Sequence, residues 1–396
     1  MNRSTNRRVF APFVETERAI AAVQGALRIP SVFGEERAIG EYIADLMRQV
    51  GFTVEFQDVQ PGRRNVIGRL DAGRPGPTVL LQGHMDTVPA GQHPEPFSGA
   101  LRDDCIWGRG ASDMKGPLVA AILAGEVLRK GARDLAGSCV VAATVDEESE
   151  KRGIFELVDR GLTATYGINV EPTDLRLAIA QKGCVSMRVT THGVAAHGAN
   201  PSLGVNAIEK MAGIVAAIQR AQTPSVELPG VGEVQGTYNV GVIEGGTMFF
   251  IVPDKCSIWV DRRTVPGETQ AEALAGLQEI VSAGDSDATV VVERQDWDWG
   301  RIQARGIQSC AVDHESPIVE SAANAVERVT GEAAQIFVQN AWCETDFLVN
   351  DLGIPTVNLG PGKMELAHTS NEHIEVASLL QGIEALALTV ADICRS

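Results

Sequence analysis

The chain has 396 residues, 44% of them hydrophobic, and a formal net charge of −17 at pH 7, which indicates a globular protein of two domains. An acidic chain without basic clusters repels phosphate backbones and anionic lipids, so we expect neither nucleic acid nor a membrane surface as a partner. Seven scattered cysteines without a CxxC pair, and no apolar run of signal-peptide or membrane-helix length, predict a cytoplasmic protein.

Alternating helical and strand patterns fill the first part of the chain. Apolar residues recur at helical spacing from Glu15 to Val50, with an interruption near Pro30, and predict two helices. The following elements are predicted as buried strands and helices in turn: PTVLLQG, a helix from about Gly116 to Lys130, SCVVAATV, a helix near Ile154 to Arg160, and YGINV. This alternation predicts an α/β fold with a mostly parallel sheet and helices on both faces, where ligands bind at the carboxyl ends of strands.

The middle of the chain has a different pattern, from about residue 183 to residue 298. Its predicted order is strand, helix, strand, strand, helix, strand: VSMRVTTHG, Gly204 to Arg220, GTYNVGVIEGG, KCSIWVDRRT, Glu268 to Ser282 and ATVVVERQDW. This order is typical of a small α+β domain with an antiparallel sheet. The first pattern then returns as Pro317 to Thr330, IPTVNLG and Val376 to Ile393. We therefore predict a discontinuous first domain, 1–182 and 299–396, interrupted by an inserted domain, 183–298.

A histidine and an aspartate follow the first predicted parallel strand, in the motif GHMDTVP. His84 and Asp86 are two residues apart, so their side chains share one side of an extended chain. A metal-bound imidazole usually donates its second N–H to a carboxylate, which orients the ring. The pair therefore fits a metal ligand and its orienting group, although the same spacing also arises by chance.

Other candidate metal ligands follow later elements of the same predicted sheet. Asp113 precedes a predicted helix, where it or Ser112 could instead cap free amides. Glu147 and Glu148 follow SCVVAATV; one could bind a metal while the other moves protons, or both could lie on a solvated acidic face. Glu171 follows the next strand, YGINV.

His368 completes the set, in a loop near the C-terminus. Two imidazoles and three carboxylates suit zinc, manganese or cobalt, and five ligands exceed the four of a single tetrahedral ion. Two ions about 3.5 to 4 Å apart, bridged by one carboxylate, would use all five. The sequence therefore predicts two divalent metal ions as cofactors, zinc first and manganese or cobalt as alternatives.

These motifs resemble the dinuclear zinc peptidase and deacylase family that includes acetylornithine deacetylase, succinyl-diaminopimelate desuccinylase, aminoacylase and glutamate carboxypeptidase. The resemblance covers nearly the whole chain and rests, in order, on GHMDTVP, GRGASDMKG, DEES, Glu171, GVAAHGANPSLGVNAI, GGTMFFIVPD, DRRTVPGE, GIPTVNLGPG and AHTSNEH. It implies a zinc-exopeptidase-like catalytic domain, an inserted lid and dimerisation domain, and hence a homodimer.

The resemblance also implies how the metal ligands are divided. By position, His84 and Glu171 would hold one ion, and Glu148 and His368 the other. Asp113 would bridge the two ions.

Three further residues would act around the metal ions according to the resemblance. Asp86 would orient His84, and Glu147 would be the general base that takes a proton from water and delivers it to the departing amine. His197, in GVAAHGAN, would reach the active site of the partner subunit and stabilise the oxyanion; the alternative is a histidine hydrogen-bonded within a turn.

The sequence departs from the family at Phe250, where an asparagine that helps to hold a substrate carboxylate is common. A phenylalanine cannot donate that hydrogen bond, so we expect a flatter, larger or aromatic substrate. Other groups could instead hold a carboxylate, namely Arg263 or the backbone of GPG at Gly360 and Gly362.

The leading hypothesis is a metal-dependent hydrolase of the amide bond in a small N-acyl amino acid, dipeptide or related compound. One alternative is hydrolytic deamination of a small, aromatic amine, which Phe250 favours. An alternative of another class is a non-catalytic metal-binding or scaffolding protein. Such a protein does not need a free carboxylate beside its ligands, and Glu147 therefore argues for catalysis.

Overall fold

The computed structural model describes residues 10–132, 134–293 and 300–395. The chain forms two compact units: Met1–Ala180 with Ala311–Gln339 and Cys343–Ser396, and Gln181–Cys310 with Asn340–Trp342. The division into 1–182 with 299–396 and 183–298 stays a prediction. Its second boundary lies in residues 294–299, outside the described residues.

In its described residues, the first unit contains a large mixed sheet, a small three-stranded sheet and six α-helices. Its strands are β1 (Thr53–Gln60), β2 (Arg63–Asp71), β3 (Thr78–His84), β4 (Ala100–Arg102), β5 (Cys105–Trp107), β6 (Ser138–Thr144), β7 (Tyr166–Asn169), β8 (Leu177–Gln181), β15 (Cys310–Ala311), β16 (Ile336–Gln339), β17 (Thr356–Asn358) and β18 (His373–Glu375). Its helices are α1 (Thr16–Leu27), α2 (Arg37–Val50), α3 (Lys115–Gly131), α4 (Arg152–Asp159), α8 (Pro317–Thr330) and α9 (Val376–Ile393).

The centre of the large sheet is parallel. Its order is β1-β2-β6-β3-β7-β17-β8-β15, with β16 beside β8. Strands β6, β3, β7 and β17 run parallel to one another, whereas β1 and β2 are antiparallel at one edge. Every residue of β6 is buried, which requires cover on both faces of the sheet. The predicted α/β fold with a mostly parallel sheet is confirmed.

The second unit is built on a four-stranded antiparallel sheet of order β12-β13-β9-β14. Its strands are β9 (Gly183–His192), β10 (Ser225–Leu228), β11 (Gly232–Gln235), β12 (Thr237–Gly245), β13 (Lys255–Thr264) and β14 (Thr289–Val292), and its helices are α5 (Ala207–Arg220), α6 (Gln270–Gly284) and α7 (Gly300–Arg305). Apolar faces of α5 and α6 pack on this sheet in one hydrophobic core. The predicted order of strands and helices is confirmed, and the hairpin of β10 and β11 is an addition that the sequence did not predict.

Helix α9 is long and apolar enough to cross a membrane by length and composition, yet 67% of it is buried within the fold. Core helices of globular proteins share this property. The sequence analysis did not identify an apolar run of this length, because Glu384, Thr389 and Asp392 interrupt it.

Candidate metal centre

The parallel sheet brings three ligand-bearing segments to one edge. His84 is the last residue of β3 and pairs with Thr144, the last residue of β6. Strand β7 pairs with β3 on its other side. Glu147 and Glu148 follow β6, and Glu171 follows β7, so the strand order alone places these side chains next to one another.

The five predicted ligands form two overlapping groups. His84, Asp113 and Glu171 offer ligand atoms within 4.8 Å of one another, and so do Asp113, Glu148 and His368. Oδ1 of Asp113 is 3.1 Å from Nε2 of His84, and its Oδ2 is 3.3 Å from Nε2 of His368. Nε2 of His368 is also 2.9 Å from Oε1 of Glu148. Asp113 thus presents one oxygen to each group, as a bridging ligand does.

Glu147 lies beside both groups and forms a third group of donor atoms with His84 and Glu148. Its Oε2 is 4.0 Å from Nε2 of His84, and its Oε1 pairs with the ammonium of Lys151. Glu147 is 6% exposed and Lys151 is 1% exposed. The alternative of a solvated acidic face is therefore wrong for this segment.

Asp86 binds three neighbouring residues through different atoms. Nδ1 of His84 donates to the backbone carbonyl of Asp86 at 2.9 Å, while the Asp86 carboxylate is 3.6 Å from that nitrogen. The carboxylate instead accepts from the amides of Glu147 at 3.0 Å and Glu148 at 2.9 Å. Because a carbonyl only accepts, Nδ1 carries a proton, and Nε2 is the nitrogen that could bind a metal once it has given up its own proton. The sequence analysis assigned the orienting contact to the carboxylate, whereas the shortest contact is to the carbonyl.

A buried carboxylate positions the loop that carries Asp113. Oε1 of Glu372 accepts from the amides of Gly110, Ser112 and Asp113 at 3.0, 3.1 and 3.0 Å, and its Oε2 pairs with Arg109. Sequence reasoning did not identify Glu372, although it lies four residues after His368 in AHTSNEH. The polar motif AHTSNEH indicated a functional segment. The partners of Glu372 are far away in the sequence, however, and only the folded structure identifies them.

The alternative of a helix cap at Asp113 is wrong. The N-cap position of α3 is Met114, and no side chain caps this helix. The Ser112 hydroxyl bonds instead to the backbone of Lys363, donating to its carbonyl and accepting from its amide, each at 2.8 Å. The Asp113 carboxylate is left facing the two imidazoles.

The carboxylates of the two groups repel one another. Burial and the Asp113 carboxylate raise the pKa of Glu171 well above its ordinary value, and they also raise the pKa of Glu148. Hydrogen bonds to Asp113 and Glu148 raise the pKa of His368 to about 10. Burial opposes charge on His84, but its hydrogen bond to Asp113 and the nearby carboxylates raise its pKa. The cluster thus gathers protons where no other cation balances it.

The donor set fits a pair of divalent metal ions. Imidazole nitrogens and carboxylate oxygens are ligands that zinc, manganese and cobalt accept. The two groups share Asp113 and use all five predicted ligands. Cations would relieve the repulsion that otherwise holds protons in the cluster.

Gly360 and Gly362 are buried against the ligand-bearing loops. A Cβ on Gly360 would lie 2.3 Å from the carbonyl oxygen of Val170 and 2.5 Å from that of Glu171. The amide of Gly360 donates to Oγ1 of Thr173, and that of Gly362 to Oγ of Ser378. Both amides already donate hydrogen bonds within the protein. This favours a role in which the glycines allow close packing of neighbouring backbone segments, rather than the predicted contact with a substrate carboxylate.

His197, Phe250 and Arg263 lie in the second unit. His197 is exposed, and its Nδ1 accepts from the amide of Ala199 at 3.0 Å. Phe250 is 47% exposed and packs edge-to-face on Phe249. Nε of Arg263 donates to Asp261 at 3.1 Å. The functional roles of the three residues stay predictions.

Two buried lysines near the metal ligands were also missed. Lys151 pairs with Glu147, and Lys115 donates to the backbone carbonyls of Ala26 and Ile29. Burial lowers the pKa of Lys115 to about 7. A lysine next to a predicted loop or helix start is normally solvated, so the sequence contained no sign that these two are enclosed.

Known proteins share both the sequence pattern and the fold. Residues 80–392 match the family described as Peptidase family M20/M25/M40. N-formyl-4-amino-5-aminomethyl-2-methylpyrimidine deformylase of Bacillus subtilis is 28% identical, over 87% of this chain and 86% of its own. The crystal structure of aminopeptidase PepT from Bacillus cereus superposes with a TM-score of 0.79 at 24% identity, covering 97% of this chain and 100% of that one.

A second solved structure is described as a dinuclear metal-binding peptidase. It is the YXEP protein of Bacillus subtilis, with a TM-score of 0.69 at 15% identity, covering 96% of this chain and 98% of that one. At these identities the two structures show a shared fold.

Proposed function

This chain belongs to peptidase family M20/M25/M40 and is a metal-dependent hydrolase of amide bonds, and from that premise we propose that it cleaves a small N-acyl amino acid, dipeptide or related N-acyl compound. The observation that carries this proposal is the convergence of five candidate metal ligands beside a sixth side chain, a carboxylate with one oxygen facing them: His84, Asp113, Glu148, Glu171, His368 and Glu147.

The two groups of ligands would hold two divalent ions. His84 and Glu171 would bind one ion, Glu148 and His368 the other, and Asp113 both. When bound, such ions polarise an amide carbonyl and lower the pKa of water from 15.7 toward about 7. Zinc suits the mixed nitrogen and oxygen donors, and manganese and cobalt are the alternatives.

Glu147 would move the proton that hydrolysis requires. Its Oε2 faces the ligand cluster, 4.0 Å from Nε2 of His84. This oxygen would accept a proton from the attacking water and return it to the nitrogen of the departing amine, so the products are a carboxylic acid and an amine. Asp86 accepts hydrogen bonds from the backbone amides of Glu147 and Glu148, and would thereby fix the positions of both side-chain carboxylates.

Phe250 would help to determine the substrate class. Phe250 provides an apolar ring where the resembled family commonly has asparagine, and the relative from Bacillus subtilis is named for a formylated aminopyrimidine. Both points support an N-acyl compound with a flat or aromatic amine. Phe250 also favours a second candidate function, hydrolytic deamination of a small aromatic amine.

The second unit would also form a homodimer. Its exposed apolar residues include Val194 at 54%, Leu203 at 76%, Met248 at 59% and Phe249 at 99% exposure. Strand β12 is at the edge of its sheet, where a second copy can extend the hydrogen bonding. In such a dimer His197 would donate a hydrogen bond to the developing oxyanion in the partner's active site, a contribution of roughly 2.7 to 4 kcal/mol.

The cysteine chemistry supports a cytoplasmic location. All seven cysteines lie in the described part of the chain, and none forms a disulfide. Reducing compartments keep thiols in this state.

The experiment for this proposal compares wild-type protein with Glu147→Gln. We expect both proteins to hold two metal ions per chain, while the variant loses turnover about 10²- to 10⁴-fold because no carboxylate moves the proton. The substrates are a panel of N-formyl, N-acetyl, N-succinyl and N-carbamoyl compounds, dipeptides and aminoaromatic compounds, assayed with zinc or manganese. Unchanged turnover in the variant would remove Glu147 from its role, and ammonia release from the aminoaromatic compounds alone would select deamination.

A further inference from the structure

Lys151 is a buried cation that the proposed mechanism does not yet use. It is 1% exposed, and its ammonium pairs with Oε1 of Glu147. An ammonium is removed from water at a considerable free-energy cost, which only close anionic partners offset.

The ion pair distinguishes the two oxygens of Glu147. Oε1 is bound by Lys151, whereas Oε2 faces the ligand cluster, 4.0 Å from Nε2 of His84. Without a partner on one side, a carboxylate rotates between equivalent orientations. The lysine therefore selects the oxygen and the orientation that face the cluster.

The backbone places Lys151 at a conformational cost. Its φ is +61°, in the left-handed region that disfavours residues with a Cβ. Its amide closes the turn by donating to the carbonyl of Asp146 at 2.8 Å, directly before α4. Glycine would occupy such a turn more easily, which indicates that the side chain of Lys151 provides the compensating interaction.

A second buried carboxyl lies within electrostatic range of Lys151. Glu344 is 1% exposed, and one of its oxygens accepts from Oγ1 of Thr144 at 2.8 Å and from the side-chain amide of Gln82. Burial and the Glu147 carboxylate raise the pKa of Glu344 to about 8. Lys151 is thus attracted by both carboxyl groups, while its direct ion pair is with Glu147.

We propose that Lys151 is a positioning residue for the general base, holding Oε1 of Glu147 so that Oε2 is presented to the attacking water. The inference rests on the proposed role of Glu147. A reacting group displaced by about 1 Å can lose 10²-fold in rate, so a lysine that never touches substrate can control turnover through orientation.

The test compares Lys151→Met with Lys151→Gln, two side chains of similar length. Methionine removes both charge and donor, whereas glutamine keeps a donor for Oε1. We expect kcat to fall about 10- to 100-fold in K151M and less in K151Q, with KM and the number of metal ions per chain unchanged in both. Lys130→Met is the matched control, because Lys130 is exposed and pairs with Glu15 and Glu126, and it keeps wild-type kcat.

A double variant separates positioning from simple charge balance. K151M alone leaves two buried carboxyl groups without their cation and could unfold, whereas K151M/Glu344→Gln removes one of them. We expect the double variant to melt at a higher temperature than K151M but to keep its low kcat. Recovery of kcat in the double variant would show that Lys151 serves Glu344, and would overturn the proposal.

The kcat and metal content of the single variants also test the positioning role. Wild-type kcat in K151M, or loss of metal in K151M and K151Q alike, overturns the positioning role. Glu147→Gln in the same assay separates this inference from its premise: full activity there refutes the proposed function, whereas an inactive E147Q beside a fully active K151M refutes only the role of Lys151.

Discussion

At the scale of single residues, His84 and Asp86 show how two side chains at a strand end divide their tasks. The ring of His84 is oriented by a backbone carbonyl, which frees the Asp86 carboxylate to bind two amides of the next loop. Asp86 therefore links β3 to the segment that carries Glu147 and Glu148. Burial raises its pKa to about 7, as expected of a carboxylate shielded from water beside other acidic groups.

Asp86→Ala is expected to weaken metal binding and turnover by about 10- to 100-fold. The amides of Glu147 and Glu148 would lose their hydrogen-bond acceptor, and the carboxylates of these residues would no longer be held in position. His84→Ala, by contrast, should lose metal and activity together. Metal content by mass spectrometry and turnover at saturating substrate distinguish the two variants. A fully active Asp86→Ala would contradict the link between the strand and the loop.

Metal binding should strengthen as the pH rises. The pKa of His84 is raised above its ordinary value, and that of His368 is raised to about 10, because both imidazoles face carboxylates in the metal-free protein. Each must lose its proton to bind an ion, and protons therefore compete increasingly with metal as the pH falls. Calorimetry in buffers of different ionisation enthalpy should show proton release on zinc binding at pH 7. Equal affinity at pH 6 and pH 8 would contradict this protonation pattern.

At the scale of elements, the parallel strands and the loops after them form the centre together. The amide of Leu359, just after β17, donates to the carbonyl of Asn169 at the end of β7, and the segment that follows packs against Glu171. The close approach at Gly360 leaves no space for a side chain between these segments.

Gly360→Ala should displace the Glu171 segment and lower both the melting temperature and the metal content. The new methyl group would meet backbone carbonyls rather than flexible side chains, and overpacking of this kind costs about 1 to 3 kcal/mol. Gly213→Ala in α5 is the matched control, because nothing lies within 4 Å of its new Cβ, and alanine favours a helix by roughly 0.5 to 1 kcal/mol. Unchanged stability and metal content in G360A would show that this contact is not tight.

The elements that the sequence predicted share a strong periodic signal. Buried strands such as β3 and β6 are continuous apolar runs, and α8 and α9 begin and end at the predicted residues. Several elements that it missed are short or half-exposed: β1 alternates polar and apolar residues at a sheet edge, and β4, β5 and β18 have three residues each. Such strands depend on neighbours that a local pattern does not contain.

The candidate site shows the same limit. The convergence of its candidate metal ligands could be predicted because each follows a recognisable strand or motif and offers a typical donor. Glu372 and Lys151 could not, since their effect depends on contacts with segments far along the chain or on burial. Asp86 was identified as the residue that orients His84. The contact is made by its backbone carbonyl, however, and depends on the local backbone conformation.

At the scale of the whole molecule, the proposed homodimer connects the second unit with catalysis. Phe249→Asp places a charge on a fully exposed ring and should convert a dimer into monomers, measured by light scattering. Turnover should fall with the dimer, because His197 could no longer act in a partner's site. Leu101→Asp on the first unit is the control and should leave the mass unchanged. A variant that stays dimeric, or a monomer with full activity, would contradict the proposed assembly or the role of His197, respectively.

The central claim is that side chains from distant parts of the sequence bind two neighbouring divalent ions. Anomalous diffraction from crystals grown with zinc tests it most directly. We expect two anomalous peaks per chain, one among His84, Asp113 and Glu171 and one among Asp113, Glu148 and His368. A map without a peak at either group, from protein that turns over substrate, would contradict it.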